Sequence, residues 1–97
     1  MSHIAKPINQ QVIFITGASS GIGLATAKMA AEKGAKVVMV SRNLPELKII
    51  CQEITKSGGD VTCVKADVAN FAQLQKAKEK AIATYGRIDT WINNAGT

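Results

Sequence analysis

Four short strand candidates, each separated from the next by a longer stretch of helical period, leave this chain few folds to choose from. The strand candidates are VIFI at Val12 to Ile15, KVVMV at Lys36 to Val40, VTCV at Val61 to Val64, and RIDTWI at Arg87 to Ile92. A first helix fits Gly21 to Lys33, with Ile22, Ala25 and Met29 on one face and Gly34 as its stop. The second begins near Asn43 as N-cap, admits Pro45 in its first turn, runs through Leu47, Ile50 and Ile54, and closes at Ser57-Gly58-Gly59. The third spans Asn70 to Tyr85, where Phe71, Leu74, Ala77, Lys78, Ala81 and Ile82 form a mostly apolar stripe before Gly86.

Regular alternation of strand and helix implies right-handed crossovers and a parallel sheet with helices on its faces. The expected fold is α/β, a doubly wound, Rossmann-like sheet of strand order 3-2-1-4. Its first two strands should be buried on both faces. The first two helices should cover one face and the third the other. At 97 residues the chain has room for one core. Residues 1–97 therefore read as a single domain, with residues 1–10 as a polar N-terminal arm.

Such a topology opens a crevice beside the carboxyl end of the first strand. The stretch TGASSGIG, Thr16 to Gly23, falls there, directly after the first strand and at the start of the first helix. A helix start offers unpaired N–H groups and partial positive charge, the requirements of a phosphate site. Gly17 permits the sharp turn, Gly21 a close approach of phosphate to backbone, and Gly23 tight packing of helix on strand, while Ser19 and Ser20 add hydroxyl donors. The spacing G-x-x-x-G-x-G differs from G-x-G-x-x-G, and Ile22 stands where a nucleotide-triphosphatase loop needs lysine. Glycine also serves tight strand-to-helix turns for steric reasons alone.

Three further features lie at strand ends. The second strand finishes in Ser41-Arg42, where an acidic residue would hold a ribose 2′-hydroxyl and an arginine would accommodate a 2′-phosphate. Arg42 supplies a permanently charged planar fork, with the Ser41 hydroxyl beside it. After the third strand, Asp67 of Ala66-Asp67-Val68 is either an acceptor for an adenine amino group or a residue that helps begin the next helix; spacing leaves both open. Asn93-Asn94-Ala95-Gly96, at the end of the fourth strand, are small and amide-rich residues that suit either a ligand wall or an ordinary turn.

Charge and composition narrow the partners. The net charge of +5 comes from scattered lysines, and Lys76, Lys78 and Lys80 spread around a helix without interleaved aromatics, so no nucleic-acid surface is expected. No apolar run approaches the roughly 18 residues of a membrane helix, and the opening MSHIAKPINQQ lacks the apolar centre of a secretion signal, so the expected location is cytoplasmic. Cys51 and Cys63 could pair, but without a signal peptide or CxxC spacing they read more naturally as free thiols in apolar surroundings. His3 reads as a surface residue, and no metal site is expected.

In order and separation, TGASSGIG, Asp67-Val68 and Asn93-Asn94-Ala95-Gly96 resemble the classical short-chain dehydrogenase/reductase family over about residues 10 to 97. The resemblance implies that Gly17, Ser19, Ser20, Gly21, Ile22 and Gly23 bind a cofactor pyrophosphate. It implies further that Asp67 and Val68 meet the adenine, and that Asn94, Ala95 and Gly96 line the cleft. Ser41-Arg42 looks like the family's NADP-preferring arrangement, so NADP is favoured over NAD, although many such members carry a basic residue where Ser20 stands.

Family members transfer hydride with a serine and a Tyr-x-x-x-Lys pair beyond the Asn-Asn-Ala-Gly stretch. Here only Thr97 follows Gly96, and Tyr85 is followed by Gly86-Arg87-Ile88-Asp89. No catalytic residue is assigned. The resemblance thus implies the cofactor-binding part of an oxidoreductase acting on an alcohol or carbonyl, an incomplete domain stopped after its fourth strand. Trp91 and the fourth-strand edge are then expected to self-associate or meet the missing part of the fold. The alternative is a dinucleotide-binding or protein-interaction module without catalysis.

Overall fold

A computed structural model of the chain describes residues 6–94. In chain order its elements are β1 (Val12–Thr16), α1 (Gly21–Glu32), β2 (Lys36–Ser41), α2 (Leu44–Lys56), β3 (Asp60–Lys65), α3 (Phe71–Tyr85) and β4 (Thr90–Asn93), preceded by one 3-10 turn at Ile8–Gln10. All three strand pairings are parallel, and the strand order is β3-β2-β1-β4. This is the expected doubly wound sheet. Among the described residues no helix is long and apolar enough to cross a membrane.

β1 and β2 form the centre because they have neighbours on both edges and helices on both faces. Every residue of β1 is buried, as is all of β2 except Lys36. Each Val, Ile, Phe or Met buried there contributes about 1.5–3 kcal/mol. Alternate residues divide between two cores. Ile13, Ile15, Val37 and Met39 pack with α1 and α2, whereas Phe14, Val38 and Val40 pack with Ala77 and Ala81 of α3. The expected partition of helices between the two faces therefore holds.

The helices meet the sheet through smaller residues than the sequence pattern suggests. On α1 the buried residues are Gly23, Ala27, Ala30 and Ala31, while Ile22 is 76% and Met29 48% exposed. A face without long side chains lets the helix lie close to the strands, so the apolar face expected around Ile22, Ala25 and Met29 points outward. On α3, Ala77 and Ala81 are buried, Leu74 is half-buried, and Phe71 and Ile82 from the expected stripe are exposed. Asn43 is the N-cap expected for α2, its side chain accepting from the Glu46 N–H, and Asn70, expected as the first residue of the third helix, caps α3 by accepting from the Gln73 N–H.

Two further expectations are corrected. β4 starts at Thr90 rather than Arg87, because Arg87 and Asp89 serve a clasp at the amino end of the sheet. The Asp89 carboxylate accepts from the Val12 N–H at 2.8 Å, the Lys6 ammonium at 2.9 Å and Arg87 Nε at 2.9 Å. The Val12 N–H foremost, then Lys6 and Arg87, holds the Asp89 carboxyl down at about 2. Lys6 and Gln10 thereby contact the amino end of the sheet, since Arg87 also donates to the Gln10 carbonyl. Cys51 and Cys63 are not free thiols: α2 packs along β3 and brings them together as a disulfide, with Cα atoms 6.5 Å apart.

Candidate functional site

Three chain reversals follow the carboxyl ends of β1, β2 and β3 and enclose a cleft of about 860 Å³. This lies within the usual size of a small-molecule site. Gly17, Ser19, Ser20, Gly21 and Ile22 line it from the first reversal, Ser41, Arg42 and Asn43 from the second, and Lys65, Ala66, Asp67 and Val68 from the third. Asn94 closes it from the end of β4. Ten of the sequence-predicted residues thus meet in one place.

The glycine loop takes its shape from two left-handed residues, Gly17 at φ 63° and Gly21 at φ 59°. Ala18 N–H donates to the Val40 carbonyl at 3.1 Å, which lays the loop over the end of β2. A Cβ built on Gly21 would meet no protein atom within 4 Å, so this glycine faces the open cleft. At Gly23 a Cβ would collide with the Gly17 carbonyl oxygen and lie 2.8 Å from Asn94 Nδ2. Gly23 is buried and does not line the cleft; its smallness seats α1 on the loop and beside Asn94. No side chain caps α1, so the first-turn N–H groups stand at the cleft.

Asn94 reaches this position through Thr16, which the sequence reading did not single out. Thr16 Oγ1 donates to Asn93 Oδ1 at 2.9 Å and accepts the Asn94 N–H at 3.1 Å, tying the ends of β1 and β4 together. Ala95 and Gly96 lie outside the described residues.

At the second reversal the Ser41 hydroxyl is 2.8 Å from the Ser19 hydroxyl and accepts the Asn43 N–H at 3.1 Å. Ser41 is only 9% exposed, and its hydroxyl couples the glycine loop to the start of α2. Arg42, by contrast, is exposed. Asp67 folds one carboxylate oxygen back to the Ala69 N–H at 2.9 Å, while Asn70 caps α3. The other carboxylate oxygen has no protein partner among the described residues. The two readings of Asp67 are therefore compatible: it shapes the turn and keeps an acceptor available.

Sequence reasoning passed over Asn43, Leu44, Pro45 and Lys65 as cleft residues. Only Lys65 carried a usable signal, a cation placed immediately before Ala66-Asp67 at a strand end. Tyr85 lies elsewhere, its hydroxyl bonded to Asp60 at 2.8 Å and to Thr62 at 3.0 Å near the amino end of β3. Burial, reinforced by the Asp60 carboxylate and only partly opposed by Thr62, pushes the Tyr85 hydroxyl up to about 12. Among the described residues no group of His, Cys, Asp and Glu side chains could hold a metal ion.

The family model described as short chain dehydrogenase matches residues 11–97. The chain belongs to the short chain dehydrogenase family. A curated relative, the uncharacterized oxidoreductase YxnA of Bacillus subtilis, is 56% identical over 90 residues, covering 93% of this chain and 25% of that protein. L-sorbose reductase from Gluconobacter frateurii, solved with NADPH and L-sorbose, superposes with a TM-score of 0.86 at 38% identity, covering 90% of this chain and 34% of that one. A Burkholderia phymatum short chain dehydrogenase/reductase solved with NAD gives 0.83 at 31% identity, covering 86% of this chain and 30% of its own. The chain therefore spans about a quarter to a third of the length of these three relatives.

Proposed function

We propose that the chain is the cofactor-binding part of an NADP-preferring oxidoreductase that interconverts an alcohol and a carbonyl, acting in the cytoplasm. The observation that carries the cofactor reading is Arg42, an exposed guanidinium at the end of β2 that lines the cleft and forms no ion pair among the described residues. A carboxylate at that strand end would repel a 2′-phosphate; a planar cationic fork binds one through two parallel hydrogen bonds.

The remaining parts of the dinucleotide find matching chemistry. The N–H groups at the start of α1 and the bare Gly21 suit a pyrophosphate. The Asp67 oxygen without a protein partner among the described residues suits the adenine amino group, with Val68 against the ring, and Asn94 suits the wall toward the nicotinamide. The bound cofactor supplies the hydride. Among the described residues no tyrosine lines the cleft to manage the proton, and Tyr85 is committed to Asp60 and Thr62. The groups that manage the proton belong to the part of the protein beyond Gly96, which also covers the β4 edge, where Trp91 stacks on Phe14 at 4.3 Å yet remains 40% exposed.

Fluorescence titration of the purified protein with NADPH and NADH tests this reading. NADPH is expected to bind at least about tenfold tighter, the worth of one charge-assisted contact. Equal affinities would remove the NADP preference, and no binding of either would remove the cofactor site.

A further inference from the structure

We propose that Lys65 is a second cation for the 2′-phosphate and a determinant of cofactor choice, a role that rests on the NADP reading above. Lys65 is the last residue of β3, and its Cα stands in register with that of Ser41, the residue before Arg42. Neighbouring parallel strands lie about 4.8 Å apart, so the two cations leave adjacent strand ends on the same rim. Both line the cleft, and both are exposed. Among the described residues neither is in an ion pair.

The rest of the rim makes this second cation consequential. Among the described residues, Arg42 and Lys65 are the only cationic side chains lining the cleft, and Asp67 is its only carboxylate. The glycine loop lines the cleft with the hydroxyls of Ser19 and Ser20 and, among the described residues, with no cation. The Ser41 hydroxyl is already engaged by Ser19 and the Asn43 N–H. A phosphate monoester near neutral pH carries between one and two negative charges, more than Arg42 alone neutralises. Lysine, a flexible point charge, complements the fixed fork of arginine.

Equilibrium titrations of the purified protein and its Lys65→Ala and Lys65→Arg variants with NADPH and NADH decide the matter, with Arg42→Ala alongside. Lys65→Ala is expected to weaken NADPH about tenfold, leave NADH within about twofold, and reduce the salt dependence of NADPH binding, whereas Lys65→Arg retains the preference. Lys65 is exposed, so the variants should keep the parent's melting temperature. If Arg42→Ala erodes a clear NADPH preference and Lys65→Ala does not, the role of Lys65 is overturned while the NADP reading stands. An equal loss for both cofactors would also overturn it, since the contact would then lie on their shared part. A parent protein without NADPH preference would overturn the NADP reading, and this role with it.

Discussion

Replacing Arg42 by alanine is expected to weaken NADPH binding by about 10- to 100-fold while NADH stays within about twofold. The asymmetry follows from placement. Arg42 lines the cleft at the end of β2, and among the described residues it forms no ion pair that its loss would orphan. Its removal takes charge-assisted hydrogen bonds from the 2′-phosphate and nothing from the rest of the dinucleotide. Arg42→Lys should recover part of the affinity, because the charge returns without the planar fork. An equal loss for both cofactors would place the arginine on the shared pyrophosphate instead. Parallel NADPH and NADH titrations of the three proteins separate these outcomes.

The second large effect is a contrast between two glycines two residues apart. Gly21→Ala puts a methyl group into open cleft, where no protein atom lies within 4 Å. The left-handed backbone there costs an alanine about 1–2 kcal/mol, and the methyl occupies the space a pyrophosphate needs. Binding of NADPH and NADH should fall together, by at least about tenfold, with a modest loss of stability.

Gly23→Ala acts from behind the loop. Its methyl would overlap the Gly17 carbonyl and press on the Asn94 amide, 2.8 Å away. Backbone and side chain must both give way, at about 1–3 kcal/mol for overpacking, and the displaced loop loses the cofactor as well. Thermal unfolding set beside cofactor titration distinguishes the two glycines: the stability loss at Gly23 comes from collision with the protein itself. Equal behaviour of the two variants would mean that the loop is softer than its contacts imply.

The order of elements was legible because each strand is a short apolar run bounded by glycine or polar residues, and each helix carries a cap or stop. Asn43, Asn70 and Gly86 fixed helix ends through local chemistry that tertiary packing does not override. The faces of the helices were less legible. Period alone picks the largest apolar side chains, whereas α1 and α3 approach the sheet through alanine and glycine, and Ile22, Met29, Phe71 and Ile82 are left outside. Arg87 and Asp89 read as strand residues because they flank Ile88 and precede Trp91 and Ile92 in an alternating stretch; their contacts to Gln10, Lys6 and Val12 join residues distant in sequence. The Cys51–Cys63 pairing is hidden for the same reason, since it depends on how α2 lies along β3.

The site was legible in its glycines, its arginine and its aspartate, all of which sit at strand ends where the topology must bring them together. What spacing could not separate were roles. Gly23 and Gly21 belong to one motif, yet one packs against the loop and the other faces the cleft. Ser41 and Arg42 are neighbours, yet the serine is consumed by Ser19 and Asn43 while the arginine remains available. Such divisions depend on where each side chain points.

A crystal structure of the whole protein with NADP bound would test the central claim most directly. The pyrophosphate should lie against the N–H groups of Gly21 and Ile22, with the 2′-phosphate within hydrogen-bonding distance of the Arg42 guanidinium. A dinucleotide seated elsewhere, or one whose adenosine ribose turns away from Arg42, would contradict it.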